Sequence, residues 1–213
     1  YGGGISCWEA SPTLKNIIIE NNISNHDGGG ILYRNSNNLN NENVVIRNNT
    51  ANYGGGINAS NSVLTFSDIM LENNNGPLGG GAIEVYGSDI TINNGLIVKN
   101  TGLYSLKLVN GGNIYFNNCT ISDNAASFYQ QGFDDNHHRY YVFNTIIWNN
   151  FNNDEWVYSG WGGATVSYSV FSDGDQQAYG VGSIYEDPLF IDPDNGDFTL
   201  QPSSPCIDAG DPE

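Results

Sequence analysis

One segment of the sequence gathers side chains that could perform acid–base chemistry. It holds Asp134, Asp135, His137, His138 and Arg139. Carboxylates, imidazoles and a guanidinium are the groups that proton-transfer enzymes use, so this segment is the candidate catalytic cluster. A metal site is less favoured, because adjacent histidines point in opposite directions on an extended chain. A solvated polar loop accounts for the same residues, and it is the interpretation that we favour.

Aromatic side chains in the same region indicate a second kind of chemistry, the binding of sugars. The candidates are Tyr129, Tyr140, Trp156, Tyr158 and Trp161. An aromatic ring has a flat apolar face on which a neutral sugar ring can stack. The alternative is that such rings cover the hydrophobic interior, and we expect this of about half of them.

Calcium is the one cofactor for which the sequence offers candidate ligands. Asp192, Asp194 and Asp197 lie close together in the last segment of the chain, and carboxylate oxygens are the ligands that Ca²⁺ prefers. Gly196, however, is misplaced for the sharp turn of an EF-hand loop. A turn without a metal is therefore the favoured interpretation.

A repeat of about 26 residues must position all of these segments. A run of three glycines precedes Ile5, Ile31 and Ile57, and a Gly-Gly-Gly-Ala run precedes Ile83. A second motif, a short apolar run that ends in Asn, recurs in phase with the first. Fixed periods of roughly 20 to 50 residues are typical of stacked repeats. Short β-branched runs bounded by Gly and Asn favour strands over helices.

The repeat predicts an all-β fold, a right-handed parallel β-helix that forms a three-sided solenoid. At about 26 residues per coil, the chain has room for seven to eight coils and an irregular C-terminal cap. Equivalent residues then lie one above another at roughly 4.8 Å. Asparagine amides can hydrogen-bond along such a stack, and Asn also tolerates the left-handed backbone of corners. Glycine allows backbones to approach closely. The predicted ladder residues are Asn22, Asn49, Asn74, Asn100, Asn124, Asn150, Gly29, Gly55 and Gly81.

We interpret residues 1–213 as a single β-helix domain with three parts. Residues 1–104 form regular coils in which nothing gathers catalytic groups, 105–180 form coils with loop insertions, and 181–213 form the cap. In coil five the segment 109–112 replaces the triple glycine, and an insertion at 127–141 follows. The predicted core of the regular part comprises Ile5, Leu14, Ile17, Ile19, Ile31, Val44, Ile46, Ile57, Leu64, Ile69, Leu71, Ile83, Ile90, Leu96 and Val98.

These motifs resemble those of known secreted proteins. The Gly-Gly-Gly/Ala-Ile and apolar-x-x-Asn motifs look like the repeats of chlamydial polymorphic outer-membrane proteins and related bacterial surface β-helices. The segments 11–16 (SPTLKN) and 117–121 (NNCTI) resemble segments of large secreted proteins of the pectin-lyase-like class. The resemblance covers roughly residues 1 to 150 and implies a right-handed parallel β-helix on or outside the cell surface, often adhesive. It implies no single chemistry, and the motifs that polygalacturonase-type glycosidases spread over successive coils are not found at that spacing.

The acidic composition limits the partners of the chain. Six Lys plus Arg stand against 23 Asp plus Glu, which leaves a net charge of −17. Nucleic acids and anionic membrane surfaces would be repelled, so we expect no nucleic-acid partner. Polyanionic polysaccharides are disfavoured unless calcium bridges the like charges. No apolar run is long enough to cross a bilayer, so direct membrane insertion is not expected.

The leading functional hypothesis is a non-catalytic extracellular β-solenoid, a structural or adhesive module of a cell-surface protein or self-assembling fibre. An open first coil exposes strand edges, which favours head-to-tail self-association or continuation into upstream repeats. The alternative is a carbohydrate-active protein that binds a polysaccharide through the 127–163 loops, or cleaves it as a lyase or glycoside hydrolase. Two carboxylates roughly 5 to 10 Å apart in a groove would favour a glycosidase.

Overall fold

The short β-branched runs form strands, and these strands build an all-β parallel solenoid with about 26 residues per turn. The computed structural model describes residues 2–125, 128–131, 138–150, 157–159, 163–172 and 180–211, without the side chains of 38, 39, 131, 138, 157–159 and 163. The strands are β1 (Ile5–Trp8), β2 (Lys15–Glu20), β3 (Ile23–Asp27), β4 (Ile31–Arg34), β5 (Asn37–Arg47), β6 (Thr50–Tyr53), β7 (Ile57–Ser60), β8 (Val63–Glu72), β9 (Asn75–Asn93), β10 (Leu96–Val98), β11 (Thr101–Asn117), β12 (Thr120–Ser122), β13 (Phe128–Gln131), β14 (His138–Phe143), β15 (Ile146–Trp148), β16 (Val157–Ser159), β17 (Gly163–Ser167), β18 (Val170–Phe171), β19 (Phe190–Asp192) and β20 (Asp197–Leu200). A 3-10 turn, Pro193–Asn195, joins the last two strands.

Strands pair in parallel with their counterparts in the next coil, which confirms the predicted repeat. Ile31 in β4 lies opposite Ile5 in β1 on one side and Ile57 in β7 on the other. Ile57 in turn lies opposite Ile83 in β9. The isoleucines that follow the glycine runs are therefore vertical neighbours, and Ile31, Ile57 and Ile83 are fully buried in the interior.

Residues with a left-handed backbone make the corners between strands. Most L-residues avoid this conformation, whereas Asn and Gly adopt it more readily. In the Asn-Asn pair at the end of the repeat, Asn73 has a φ of 52°, whereas Asn74 does not have a positive φ. The ladder asparagines are thus not the corner residues that we expected, because the residue before each of them turns the chain. Two of the corner columns are Asn16, Asn43, Asp68, Asn94, Asn118 and Asn144, and Asn21, Asn48, Asn73, Lys99, Asp123 and Asn149.

Most of the predicted core residues line the interior, but Leu96 and Val98 face outward. Ile97 pairs with Leu71 and belongs to the inner core, whereas its two neighbours lie on the opposite face of β10. The inward position is the third residue before the ladder asparagine. In this coil that asparagine is Asn100, so the inward residue is Ile97.

The last segment closes the stack and then folds back along its side. Ile184 forms a parallel bridge with Val170, which extends the final coil. Strands β19 and β20 then form an antiparallel hairpin, whose Phe190 and Phe198 pack against the outward side chain of Val98. The solenoid has about five turns, fewer than the predicted seven to eight.

Strands continue in register into the second half, within the ranges that the structure describes. In coil five the counterpart of the glycine run is not 109–112, because Leu106 takes the place of Ile83 and Tyr104 that of Gly80. The predicted insertion at 127–141 contains β13 and the first part of β14, and both strands pair in register with β11. Aromatic and polar residues replace the β-branched aliphatic residues in these strands, which hid the repeat.

Candidate functional site

The predicted asparagine ladder is present and is part of the buried structure. The Nδ2 atom of Asn49 donates to Oδ1 of Asn74 at 3.0 Å, and the backbone N–H of Asn49 donates to the same oxygen at 3.1 Å. Nδ2 also donates to the carbonyl oxygen of Ile19 at 2.9 Å. The same side-chain bond joins Asn22 to Asn49, Asn74 to Asn100, Asn100 to Asn124, and Asn124 to Asn150. These amides bond to one another and to backbone groups at the strand ends, so each buried amide of the ladder has a partner. The bonds run from coil to coil and therefore hold the coils together.

The predicted ladder glycines lie where successive coils come closest. The N–H of Gly29 donates to the carbonyl oxygen of Gly54 at 3.1 Å, and that of Gly55 donates to Gly80 at 3.0 Å. A side chain at Gly55 would collide with the backbone of the next coil, and one at Gly81 would meet Thr101. Packing therefore explains these glycines.

Most of the predicted acid–base cluster lies outside the described residues. This applies to Asp134, Asp135 and His137, and His138 is described by its backbone alone. Arg139 is an exposed residue of β14. The cluster stays a prediction.

The predicted sugar-binding aromatics divide into three groups. Trp156, Trp161 and the side chain of Tyr158 lie outside the described residues. The ring of Tyr129 is partly exposed and stacks on Tyr104 with a centroid separation of 4.2 Å. Tyr140 is fully buried, and its hydroxyl donates to the carbonyl oxygen of Tyr129 at 2.9 Å. A buried ring has no face for a ligand, so Tyr140 is a core residue.

The predicted calcium candidates are engaged with neighbouring residues. Asp192 accepts a hydrogen bond from Asn195 at 2.8 Å, and Asp197 accepts one from the N–H of Thr199 at 3.0 Å. Among the residues that the structure describes, no three His, Cys, Asp or Glu side chains are grouped as metal ligands would be. The segment around Asp194 is a turn that ends at Gly196, which has a left-handed φ of 89°.

A groove on the side of the regular coils brings together groups that the sequence analysis kept apart. We call it the lateral groove, and it has a volume of about 540 Å³. Strands from β3 to β11 contribute to it, so it crosses several coils. Its lining residues are Asp27, Arg34, Tyr53, Asn58, Ser60, Leu78, Tyr86 and Lys107.

One outward-facing column of residues lies beside this groove, and two of its members, Asn58 and Lys107, line it. The residue after the buried Ile or Leu of each repeat points away from the core, and in three successive coils it is Asn58, Glu84 and Lys107. Glu84 pairs in register with Asn58 on one side and with Lys107 on the other. Gly79 lies over Glu84, and a side chain there would collide with the carboxylate. Glycine at this position therefore leaves room for a buried carboxylate.

Glu84 and Lys107 form a buried ion pair. The Lys107 Nζ lies 3.0 Å from Oε1 of Glu84, and the other carboxylate oxygen accepts the N–H of Gly80 at 3.0 Å. The side chain of Glu84 is 0% exposed and that of Lys107 is 12% exposed. The ammonium also lies over the ring of Tyr53, 5.6 Å from its centroid. Separating the pair would leave an uncompensated buried charge on each side, so each group holds the other in place.

The second ion pair of the lateral groove lies nearer to solvent. A nitrogen of Arg34 is 2.6 Å from Oδ2 of Asp27, with side chains 29% and 20% exposed. The guanidinium lies 5.3 Å from the ring centre of Trp8. The two cations of the groove are thus each matched by a carboxylate.

Burial and the ion pair both shift the pKa values of Glu84, Lys107 and Tyr86. It raises the pKa of the Glu84 carboxyl, while Lys107 and the Gly80 N–H oppose that shift. Burial also opposes the charge of Lys107, but the Glu84 carboxylate outweighs this and raises the pKa of the ammonium. The pKa of Tyr86 is raised by burial and then by Glu84. The ionisation of Glu84 and that of Lys107 are therefore coupled, because each charge shifts the pKa of the other group.

The repeat itself contained the signal for this groove. Asn58 and Glu84 lie one repeat apart, directly after the isoleucines that mark the period. Lys107 follows Glu84 by less than one repeat, because coil five is shorter and lacks the glycine run. Continuing the register through Leu106 would have aligned all three residues.

The chain matches no protein-family model, no curated protein and no solved structure. No helix with the length and apolar character needed to cross a membrane occurs among the described residues.

Proposed function

We propose that the chain is a non-catalytic extracellular β-solenoid, a structural or adhesive module of a cell-surface protein or fibre. The observation that carries this proposal is the pairing of charges in the lateral groove, where Lys107 is held by Glu84 and Arg34 by Asp27. Both carboxylates face a cation of the chain itself instead of a bound molecule, so neither is placed to exchange protons with a ligand. The extracellular placement, and kinship with pectin-lyase-like or chlamydial surface β-helices, rest on the resemblance of the repeats.

The adhesive ligand that fits the lateral groove is a neutral carbohydrate. Tyr53 and Tyr86 supply aromatic rings, and Asn58 and Ser60 supply hydrogen-bonding groups. Aromatic faces beside a few polar groups are characteristic of binding sites for small polar ligands. The net charge of −17 disfavours an anionic polysaccharide.

Titration of the protein with a panel of neutral oligosaccharides, followed by calorimetry, tests this role. Tyr86→Ala should weaken binding by about five- to 150-fold, since stacking of a ligand ring on an aromatic side chain contributes about 1 to 3 kcal/mol. Tyr115→Ala is the matched control, because Tyr115 is a partly exposed tyrosine that stacks on Tyr141 and does not line the groove. Equal losses in both variants, or no binding by the wild type, would reject the groove as an adhesive site.

The second candidate is a carbohydrate-active protein that uses the 127–163 loops. The observation in its favour is a pair of stacked tyrosines, Tyr104 and Tyr129, at the edge of that region. The same oligosaccharide mixtures, analysed for new reducing ends or unsaturated products, separate the two candidates. Cleavage that is lost in Asp134→Ala but kept in Tyr86→Ala would establish the enzyme and overturn the non-catalytic proposal.

Head-to-tail self-association is the structural counterpart of adhesion. Within the described part of the chain, β1 pairs with β4, and the end of a parallel stack is a place where a strand of a second copy or of upstream repeats can pair. Sedimentation velocity over a range of concentrations should show species larger than the monomer. A single monomeric species at high concentration would reject this assembly.

A further inference from the structure

Three side chains in and directly beside the lateral groove have the chemistry of a self-forming cross-link. Asn58, Glu84 and Lys107 occupy consecutive rungs of one outward-facing column. Strands in a stack lie roughly 4.8 Å apart, so the carboxylate of the middle residue lies between an amide and an amine. The side chain of Glu84 is fully buried, and Asn58 is only 2% exposed.

The amine of Lys107 reaches back along the column towards Asn58. Its Nζ atom is in contact with Glu84 at 3.0 Å. It also lies 5.6 Å from the ring centre of Tyr53, which belongs to the same coil as Asn58. Asn58 and Lys107 both line the lateral groove. The geometry therefore brings the amine into the neighbourhood of the carboxamide carbon.

The ion pair can be neutralised without any third group. The Glu84 carboxylate raises the pKa of Lys107, so the charged pair is the resting form and the neutral pair is its minor form. Burial raises the pKa of the Glu84 carboxyl, so the carboxylate is more basic than in water. Transfer of one proton from Lys107 to Glu84 removes two buried charges at once and leaves the total number of protons unchanged. The neutral amine that results is a nucleophile, as are other lysines activated in apolar sites.

We propose that Lys107 and Asn58 join through a side-chain amide bond, with Glu84 as the general acid and base. The Nζ lone pair attacks Cγ of Asn58, and a new Nζ–Cγ bond forms. Glu84 takes a proton from Nζ and delivers one to Nδ2, the Cγ–Nδ2 bond breaks, and ammonia leaves. The ammonia then carries away the remaining proton as ammonium, so no oxidant or other reactant is required.

The bond would tie coil three to coil five across the lateral groove. A covalent link between non-adjacent coils restricts the unfolded chain, as a disulfide does, and so stabilises the folded stack. This inference goes beyond the proposed function, because the reaction occurs once in each molecule and needs no ligand. It would also consume the amine of the groove, which agrees with a role in binding instead of turnover.

Mass spectrometry of the intact, full-length chain tests the proposal directly. The wild type should be lighter than its sequence by the mass of one ammonia, and Glu84→Gln and Lys107→Arg should have the full sequence mass. Asn58→Asp offers a carboxyl in place of the amide, so any linked product should be lighter by one water. Lys15→Arg is the matched control, since Lys15 forms an exposed pair with Glu42 at 2.7 Å, and it should keep the deficit of one ammonia.

Loss of ammonia at an Asn-Gly sequence would mimic the cross-link, so the linked peptides must be found as well. Such sequences occur at 75–76, 94–95, 110–111 and 195–196. Proteolysis of the wild type should release one branched peptide that contains both Asn58 and Lys107. A wild type with the full sequence mass, or a deficit that persists in Lys107→Arg, would overturn the proposal even where other variants fail to fold.

Discussion

Two neighbouring asparagines at the end of the repeat have different physical roles. Asn73 turns the chain with its left-handed backbone, and Asn74 bonds to the coils on either side. In later coils Lys99 and Asp123 replace the first residue, but Asn100 and Asn124 keep the second. The side-chain amide of the second asparagine is thus the less replaceable group, because a buried hydrogen-bonding group that loses this amide cannot bond to water instead.

Replacing these two asparagines in turn should have very different effects. Asn74→Ala leaves the Ile46 carbonyl and the Asn49 amide without their partner, so the free energy of unfolding should fall by about 3 kcal/mol or more. Asn73→Gly keeps the left-handed corner available, and it should change stability by less than about 1 kcal/mol. Urea unfolding of both variants gives the comparison. Equal losses would contradict the separate roles.

Tyr140 should make the fold sensitive to alkali. Burial raises the pKa of its hydroxyl far above the ordinary value of 10.0. Above about pH 10 the unfolded chain loses this proton while the folded chain keeps it. The free energy of unfolding therefore falls as pH rises, by up to about 1.4 kcal/mol for each pH unit. Tyr140→Phe should flatten that slope in urea unfolding at rising pH. An unchanged slope would show that the Tyr140 hydroxyl ionises in the folded state.

The element that departs most from the repeat is the hairpin of β19 and β20. Its apolar residues cover the outward faces of Leu96, Val98, Ile146 and Trp148. Lys99 strengthens the contact, since its Nζ donates to the carbonyl oxygen of Asp194 at 2.9 Å. The same outward face in earlier coils includes Ile18, which is 60% exposed. The hairpin therefore explains why the later coils tolerate more apolar residues outside.

Truncating the buried side of this hairpin should loosen it from the stack. Phe198 is 9% exposed and packs against Val98, so Phe198→Ala should lower the free energy of unfolding by about 3 kcal/mol. Ile191 belongs to the same hairpin but is 51% exposed, and Ile191→Ala should cost less than about 1 kcal/mol. Thermal unfolding measures both. Similar small effects would mean that the hairpin does not stabilise the coils.

The strands and ladders were predictable from the sequence, but the orientation of some strands was not. The period identified Asn22 to Asn150 as one column because identical residues mark it. It did not identify Ile97 as the inward residue, because the strand Leu96–Val98 is apolar throughout and lacks the alternation of apolar and polar residues that marks the buried face. It also missed β13 and β14, where aromatic residues such as Phe128 replace aliphatic ones. The lateral groove was missed because Glu84 and Lys107 meet only through the shorter fifth coil.

At the scale of the whole molecule, the excess of acidic residues should make stability depend on salt. The chain carries a net charge of −17, and an excess of like charges destabilises a compact fold through self-repulsion. Moderate salt should screen this repulsion and raise the melting temperature by about 2 to 4 °C for each kcal/mol regained. The effect should vanish near the isoelectric point of about 4.1. A melting temperature that falls with salt at neutral pH would contradict this account.

The claim on which everything depends is that residues one repeat apart are vertical neighbours. Val45 pairs with Met70, and Met70 pairs with Leu96, so Val45 and Leu96 are two rungs apart on the outer face. A disulfide needs Cα atoms within roughly 4.4 to 6.8 Å, which one rung satisfies and two rungs exceed. The paired substitutions Val45→Cys and Met70→Cys should therefore oxidise to an intramolecular disulfide, whereas Val45→Cys with Leu96→Cys should not. The reverse result, or equal bonding in both, would contradict the stacked register.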